Sequence, residues 1–129
     1  MRLLLDTDVL IWWWMDDASL PDKARSAIID PQRDVYVSAA TEWEIATKVC
    51  KGHLPEMRSR LQSFQDDLSA DQFRHLDVRI DHGVRGGLLS SDHQDPFDRL
   101  IAAQALIEDM TVVTRDRTFA EFGCEVIWS

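Results

Sequence analysis

RLLLD (residues 2–6) is a short, wholly apolar run that ends on a carboxylate, and the rest of the chain is read outward from it. A strand with no polar alternation is buried on both faces, the pattern of a parallel sheet. Beyond it, VLIWWWM (9–15) reads as a helix, and Pro21 opens another that runs through Ile29. DVYVS (34–38) predicts a strand and AATEWEIATKVCKG (39–52) a helix stopped by Gly52. An amphipathic helix is expected over 55–69 and a strand at FRHLDV (73–78). DHGVRGGLLSS (81–91) is helical in pattern but interrupted by Gly86 and Gly87. A helix over 95–109 and strands at TVVTRD (111–116) and CEVIW (124–128) complete the chain. Apolar strands alternating with helices predict one α/β domain spanning 1–129, an α/β/α sandwich around a mainly parallel sheet of four or five strands. In such sheets ligands bind beyond the carboxyl ends of the strands.

Composition narrows the chemistry. With 14 basic and 23 acidic residues the formal charge is −9, so the surface has no general attraction for polyanions. Phosphate chemistry here needs a local device, such as a bound cation or a few arginines. The two cysteines, Cys50 and Cys124, have no zinc-binding spacing and fit a reduced cytoplasmic interior. MRLLLDTDVLIWWWM at the start is broken by Asp6 and Asp8 and followed by no cleavage site, so neither a signal peptide nor a membrane span is expected.

The acidic residues then form a pattern. Two strands end in aspartate, at Asp6 and Asp116, where each alone could merely cap the next helix. In SDHQDPFDRLIAAQA (91–105), Asp95 and Pro96 make a helix start, and Asp98 stands three residues further on. Asp98, Ile101, Ala102 and Ala105 share one helix face, so Asp98 points into the protein. Glu42 and Glu44 flank a stripe of Trp43, Ala46, Thr47 and Cys50, and periodicity does not separate them. Two carboxylates about 5 Å apart at an effective dielectric of about 20 repel by on the order of 3 kcal/mol. The three lysines cannot offset that throughout a cluster. A divalent cation can, and an all-oxygen set suits Mg²⁺ or Mn²⁺ with a phosphate substrate.

These residues resemble the PIN-domain family of metal-dependent ribonucleases, and within it the VapC-type toxins of bacterial type II toxin–antitoxin pairs. The likeness runs through LLLDTDVLIWW, SAATEWEIATK, HQDPFDRLIAAQA, VVTRDRTFAEFG and EVIW. It implies an acidic quartet of Asp6, Glu44, Asp98 and Asp116 that holds Mg²⁺ or Mn²⁺ and is catalytic, choosing Glu44 over Glu42. It also implies supporting hydroxyls at Thr7 and Thr114, and structural roles for His93 and Asp95. Asp8 departs from the family pattern and is assigned as a helix cap. The implied activity is hydrolysis of RNA phosphodiesters by metal-activated water, leaving 5′-phosphate and 3′-hydroxyl ends, with no histidine as base. The implied partners are a VapB-like antitoxin and a second copy of the chain.

Arg99, Arg115 and Arg117 lie beside proposed ligands and are candidate substrate contacts. Trp12, Trp13 and Trp14 spread over roughly 200° of helix arc, so two buried indoles and one at a dimer or antitoxin interface are expected. Two rival readings stand: a PIN scaffold that binds without cutting, and a haloacid-dehalogenase-like phosphatase, whose DxD would make Asp6 a nucleophile.

Overall fold

Alternate side chains of the first strand enter two different cores. Leu3 and Leu5 join one buried cluster and Leu4 the other, and all three are fully buried. The computed structural model describes residues 1–129. The strands are β1 (Arg2–Leu5), β2 (Asp34–Ser38), β3 (Arg74–Leu76), β4 (Thr111–Val113) and β5 (Val126–Ile127). The helices are α1 (Thr7–Trp14), α2 (Asp22–Ile29), α3 (Ala39–Cys50), α4 (Arg60–Ala70), α5 (Ile80–Leu88), α6 (Pro96–Glu108) and α7 (Thr118–Glu121).

All five strands are parallel, in the order β3-β2-β1-β4-β5. Leu3 stands opposite Val35 on one side and Thr111 on the other. The first core cluster seats α1, α2 and α4 with Ile45 and Val49 of α3, whereas the second seats α6 and α7. The result is the expected α/β/α sandwich. Strand order reverses at β1, so the crevice past the carboxyl ends of β1 and β4 is where such a sheet takes a ligand. No helix is long and apolar enough to cross a membrane.

Several boundaries differ from the sequence reading, each for a local reason. The first helix begins at Thr7 because the Asp6 carboxylate accepts a hydrogen bond from the Thr7 N–H. Asp6 is therefore the cap, and Asp8, assigned that role from sequence, is exposed in the first turn. The helix expected over 55–69 splits into a 3₁₀ turn at Pro55–Met57 and α4. Gly86 and Gly87 do not interrupt α5. A Cβ at Gly86 would stand 3.2 Å from the Arg99 carbonyl oxygen, so that glycine lets α5 lie close on α6. The four-residue α7 was not foreseen, being too short to carry a periodic signal.

Helix α3 turns the predicted face outward. Ala40, Thr41, Glu44, Ile45 and Val49 are its buried residues, while Trp43 is 54% exposed, and Ala46 and Cys50 face solvent. The three tryptophans of α1 also depart from expectation, since all are half-buried and none is free. Trp12 meets Trp128, Trp13 meets Phe73, and Trp14 packs edge-on to Phe64 while donating to Asp71 at 2.9 Å.

Candidate metal centre

The carboxyl edge of the sheet gathers side chains from four separate elements. Asp6 follows β1, Thr114 and Asp116 follow β4, Glu44 lies on α3, and Asp98 stands in the first turn of α6. Asp6, Glu44, Asp98 and Asp116 line one cleft of about 300 Å³, together with Asp8 and Asp95. The structure thus brings the four acids of the sequence reading to one place. Two further carboxylates share it.

Each acid is held by its own device. One oxygen of Asp6 accepts from the Thr7 N–H at 2.8 Å, and the other from the Thr114 hydroxyl at 2.7 Å. Thr114 also accepts from the Asp116 N–H at 2.9 Å, so one buried hydroxyl ties the two strand-end acids together. The other hydroxyl of the sequence reading, Thr7, is buried 3.1 Å from that of Thr41. Asp116 accepts from the Thr118 N–H at 2.9 Å. Asp95 caps α6, accepting from the N–H groups of Phe97 and Asp98 at 2.9 and 3.2 Å. That fixes the turn in which Asp98 points inward above buried Ile101, Ala102 and Ala105, as the helix face predicts.

His93, structural in the sequence reading, stands against the acids of the site. Its Nε2 lies 2.9 Å from an Asp98 carboxylate oxygen, and ligand atoms of His93, Asp98 and Asp116 lie within 4.8 Å of one another. Spacing could not reveal this, because the loop before α6 brings the ring back. Arg99 sets that loop, which corrects its sequence reading as a substrate contact. Its guanidinium donates to the carbonyls of Gly86, Gly87, Leu89, Ser91 and His93. Committed to five backbone acceptors, it is not available to a substrate. Arg115 lines the cleft, and Arg117 is exposed at the start of α7, outside the cleft lining.

Electrostatics here run against the ordinary state of a carboxylate. Burial, then repulsion from Asp98 and Asp8, pushes Asp6 up to about 7 despite its two hydrogen bonds. Burial raises Asp98 to about 6, and repulsion from Asp95 and Glu44 adds to it, while the His93 hydrogen bond pulls it down. His93 is raised, chiefly by that same hydrogen bond. For Asp116 burial acts upward, but hydrogen bonds from Thr118 and the charge of His93 take it below its usual value. Glu44 is 5% exposed; Lys48 Nζ lies 2.8 Å from one of its oxygens, and the other is buried with no hydrogen-bond partner. An orphaned acceptor among acids held toward neutrality is the arrangement a hard dication completes. The residues fit such an ion.

A family model described as PIN domain matches residues 3–123. No curated protein sequence matches the chain. Among solved structures, VapBC2 from Rickettsia felis bound to a DNA fragment from its promoter shares 18% identity over 100% of both chains, with a TM-score of 0.71. DNA-bound VapBC from Salmonella typhimurium shares 20% identity over 98% of this chain and 97% of that one, with a TM-score of 0.70. FitAcB from Neisseria gonorrhoeae shares 24% identity over 97% and 96%, with a TM-score of 0.61. At these identities the likeness is one of fold.

Proposed function

Because this chain belongs to the PIN domain family, we propose that it is a divalent-cation-dependent endoribonuclease acting as the toxin of a VapBC-type pair. The observation that carries the proposal is the single cleft shared by Asp6, Glu44, Asp98 and Asp116, with one buried Glu44 oxygen left unpartnered. The VapBC structures of like fold support a VapB-like antitoxin as partner, and RNA in the cytoplasm is the proposed substrate. A homodimer belongs to the same proposal, and the outward stripe of Trp43, Ala46 and Cys50 is apolar surface for a second copy to cover.

In this reading Asp6, Glu44, Asp98 and Asp116 hold Mg²⁺ or Mn²⁺. When bound, the ion supplies a water of lowered pKa and neutralises charge that develops on the phosphate oxygens. Thr114 and the Thr7 backbone fix both Asp6 oxygens, so that carboxylate cannot swing as protons or substrate arrive. The hydroxyl of Thr7 stands against Thr41, bracing the start of α1 on α3. His93 keeps a proton at Nε2 against Asp98 and so orients that side chain. Asp8 and Asp95 add negative charge at the rim, which favours a cation and turns away free anions. Arg115 and Arg117 are the remaining candidates for contact with RNA.

The phosphatase reading asks for a lysine beside a nucleophilic Asp6, and the one lysine of the cleft, Lys48, is bound to Glu44. The non-cutting scaffold has no observation in its favour. Purified protein given total RNA should cut with Mn²⁺ or Mg²⁺, leave 5′-phosphate ends, and stop with chelator. Calorimetry should detect ion uptake that Asp98→Asn reduces. Cleavage that survives both chelator and Asp98→Asn overturns the proposal.

A further inference from the structure

The cleft contains two cations among six carboxylates, and they are used differently. Lys48 is spent on Glu44. Arg115 is exposed and enters no ion pair, although Asp116 is its neighbour in sequence. Its guanidinium instead lies over the indole of Trp12, 4.7 Å from the ring centroid. Trp12 is the one apolar residue of the cleft wall, half-buried and backed by Trp128 at 5.9 Å. A planar, weakly hydrated guanidinium stacks on an aromatic face while keeping its N–H edge for a bidentate anion contact. Trp12 therefore keeps this charge from collapsing onto the acids below.

An RNA strand approaching this cleft meets negative charge apart from whatever cation occupies it. Phosphates flanking the reacting one need their own counter-charge, and Arg115 is the cation left over. We propose that Trp12 is a positioning residue that holds Arg115 at the rim, and that Arg115 so held grips a phosphate flanking the scissile bond of the RNA. The inference rests on the ribonuclease reading above and names how that site takes its substrate.

Steady-state cleavage of a short single-stranded RNA across a salt series tests it, with Arg115→Gln, Arg115→Lys, Trp12→Leu, Trp12→Phe and the Trp12→Leu/Arg115→Gln double variant. Loss of one charge-assisted contact should raise KM about tenfold in Arg115→Gln with kcat nearly unchanged. The slope of log affinity against log salt should fall by about 0.7, the share of one phosphate on a single strand. Trp12→Leu should reproduce both changes, Trp12→Phe should restore them, and the double variant should be no worse than either single. Arg115→Lys, an exposed change that spares the fold, should lose part of both the affinity and the salt slope, since an ammonium keeps the charge but is not held flat on the indole. Wild-type KM and slope in Trp12→Leu, additive losses in the double variant, or wild-type KM in Arg115→Lys would each overturn the inference. If the wild-type chain cuts no RNA with either ion, the ribonuclease reading itself fails. In that case anisotropy of a labelled RNA oligonucleotide still tests the Trp12–Arg115 pair.

Discussion

The helices that supply Glu44 and Asp98 also border a second buried polar group, and the two groups are satisfied in opposite ways. Ser38, at the start of α3, donates to Gln104 of α6 at 2.5 Å and accepts from the Ala40 N–H at 3.0 Å. The Gln104 amide donates to the Asp77 carbonyl at 3.1 Å, and both side chains are fully buried. That group is neutral, and its donors and acceptors match. The cleft has a surplus of acceptors, carboxyls raised to about 7 and about 6, and an orphaned Glu44 oxygen. Satisfied polar groups hold α3 and α6 in place, whereas the unsatisfied ones leave the cleft short of positive charge.

The largest effect that should separate the two groups is the response to neutralising an acid. Asp98→Asn removes a buried charge that other charges repel, so the cation-free protein should gain thermal stability while RNA cleavage falls at least about 10²- to 10³-fold. A melting curve and a cleavage assay on one preparation check both. A loss of stability instead would mean that the cleft, too, is held together by its own polar contacts.

Next in size is the pH dependence of the cation-free fold. An unfolded aspartate titrates near its ordinary value, but folded Asp6 titrates near 7. Between those values the folded state binds more protons than the unfolded one, so stability falls as pH rises through that window. The penalty is absent below the unfolded pKa and fully present above about 7, on the order of 4 kcal/mol for Asp6. Asp98, raised to about 6, acts in the same direction over a lower window. Urea titrations from pH 4 to 8 should show that decline, and saturating Mn²⁺ should flatten it. The satisfied pair has the reverse signature: Gln104→Leu should cost about 1–3 kcal/mol at every pH and leave ion uptake intact.

That contrast also explains what the sequence could disclose. Strand-end acids and the face carrying Asp98, Ile101, Ala102 and Ala105 are legible, because apolar periodicity locates a carboxylate among core neighbours. On α3 the same rule fails. It assigns Trp43, Ala46 and Cys50 to the interior, yet the helix buries Glu44 and exposes Trp43. A helix that delivers a charge to a site buries that charge, so its apolar pattern points partly outward. Glu44 was separated from Glu42 only by family resemblance. The tryptophan run misled in the same way, since its indoles are partnered by arginines that no period records: Arg115 on Trp12, Arg25 near Trp13 and Arg60 on Trp14. His93 was hidden because its approach to Asp98 depends on the five carbonyls gathered by Arg99, a loop geometry without sequence periodicity.

The smallest effect concerns Lys48, which belongs to both descriptions. Its ammonium satisfies one Glu44 oxygen at 2.8 Å, as a structural partner would, yet it occupies the space where positive charge is wanted. Burial lowers its pKa, but the contact with Glu44 outweighs this and leaves it raised, so it is charged at neutral pH. The ammonium therefore stands in for part of a dication's charge and must compete with it. Lys48→Met should weaken the cation-free fold by about 1–2 kcal/mol, since Lys48 is partly exposed but the buried Glu44 loses its one partner. The same change should tighten Mn²⁺ binding, by about tenfold or less, because a like charge is removed and a ligand oxygen is freed. Melting curves with and without Mn²⁺ would show the two shifts with opposite signs. Weaker binding in Lys48→Met would instead make the lysine part of the frame that aims Glu44, moving it to the satisfied side of the comparison.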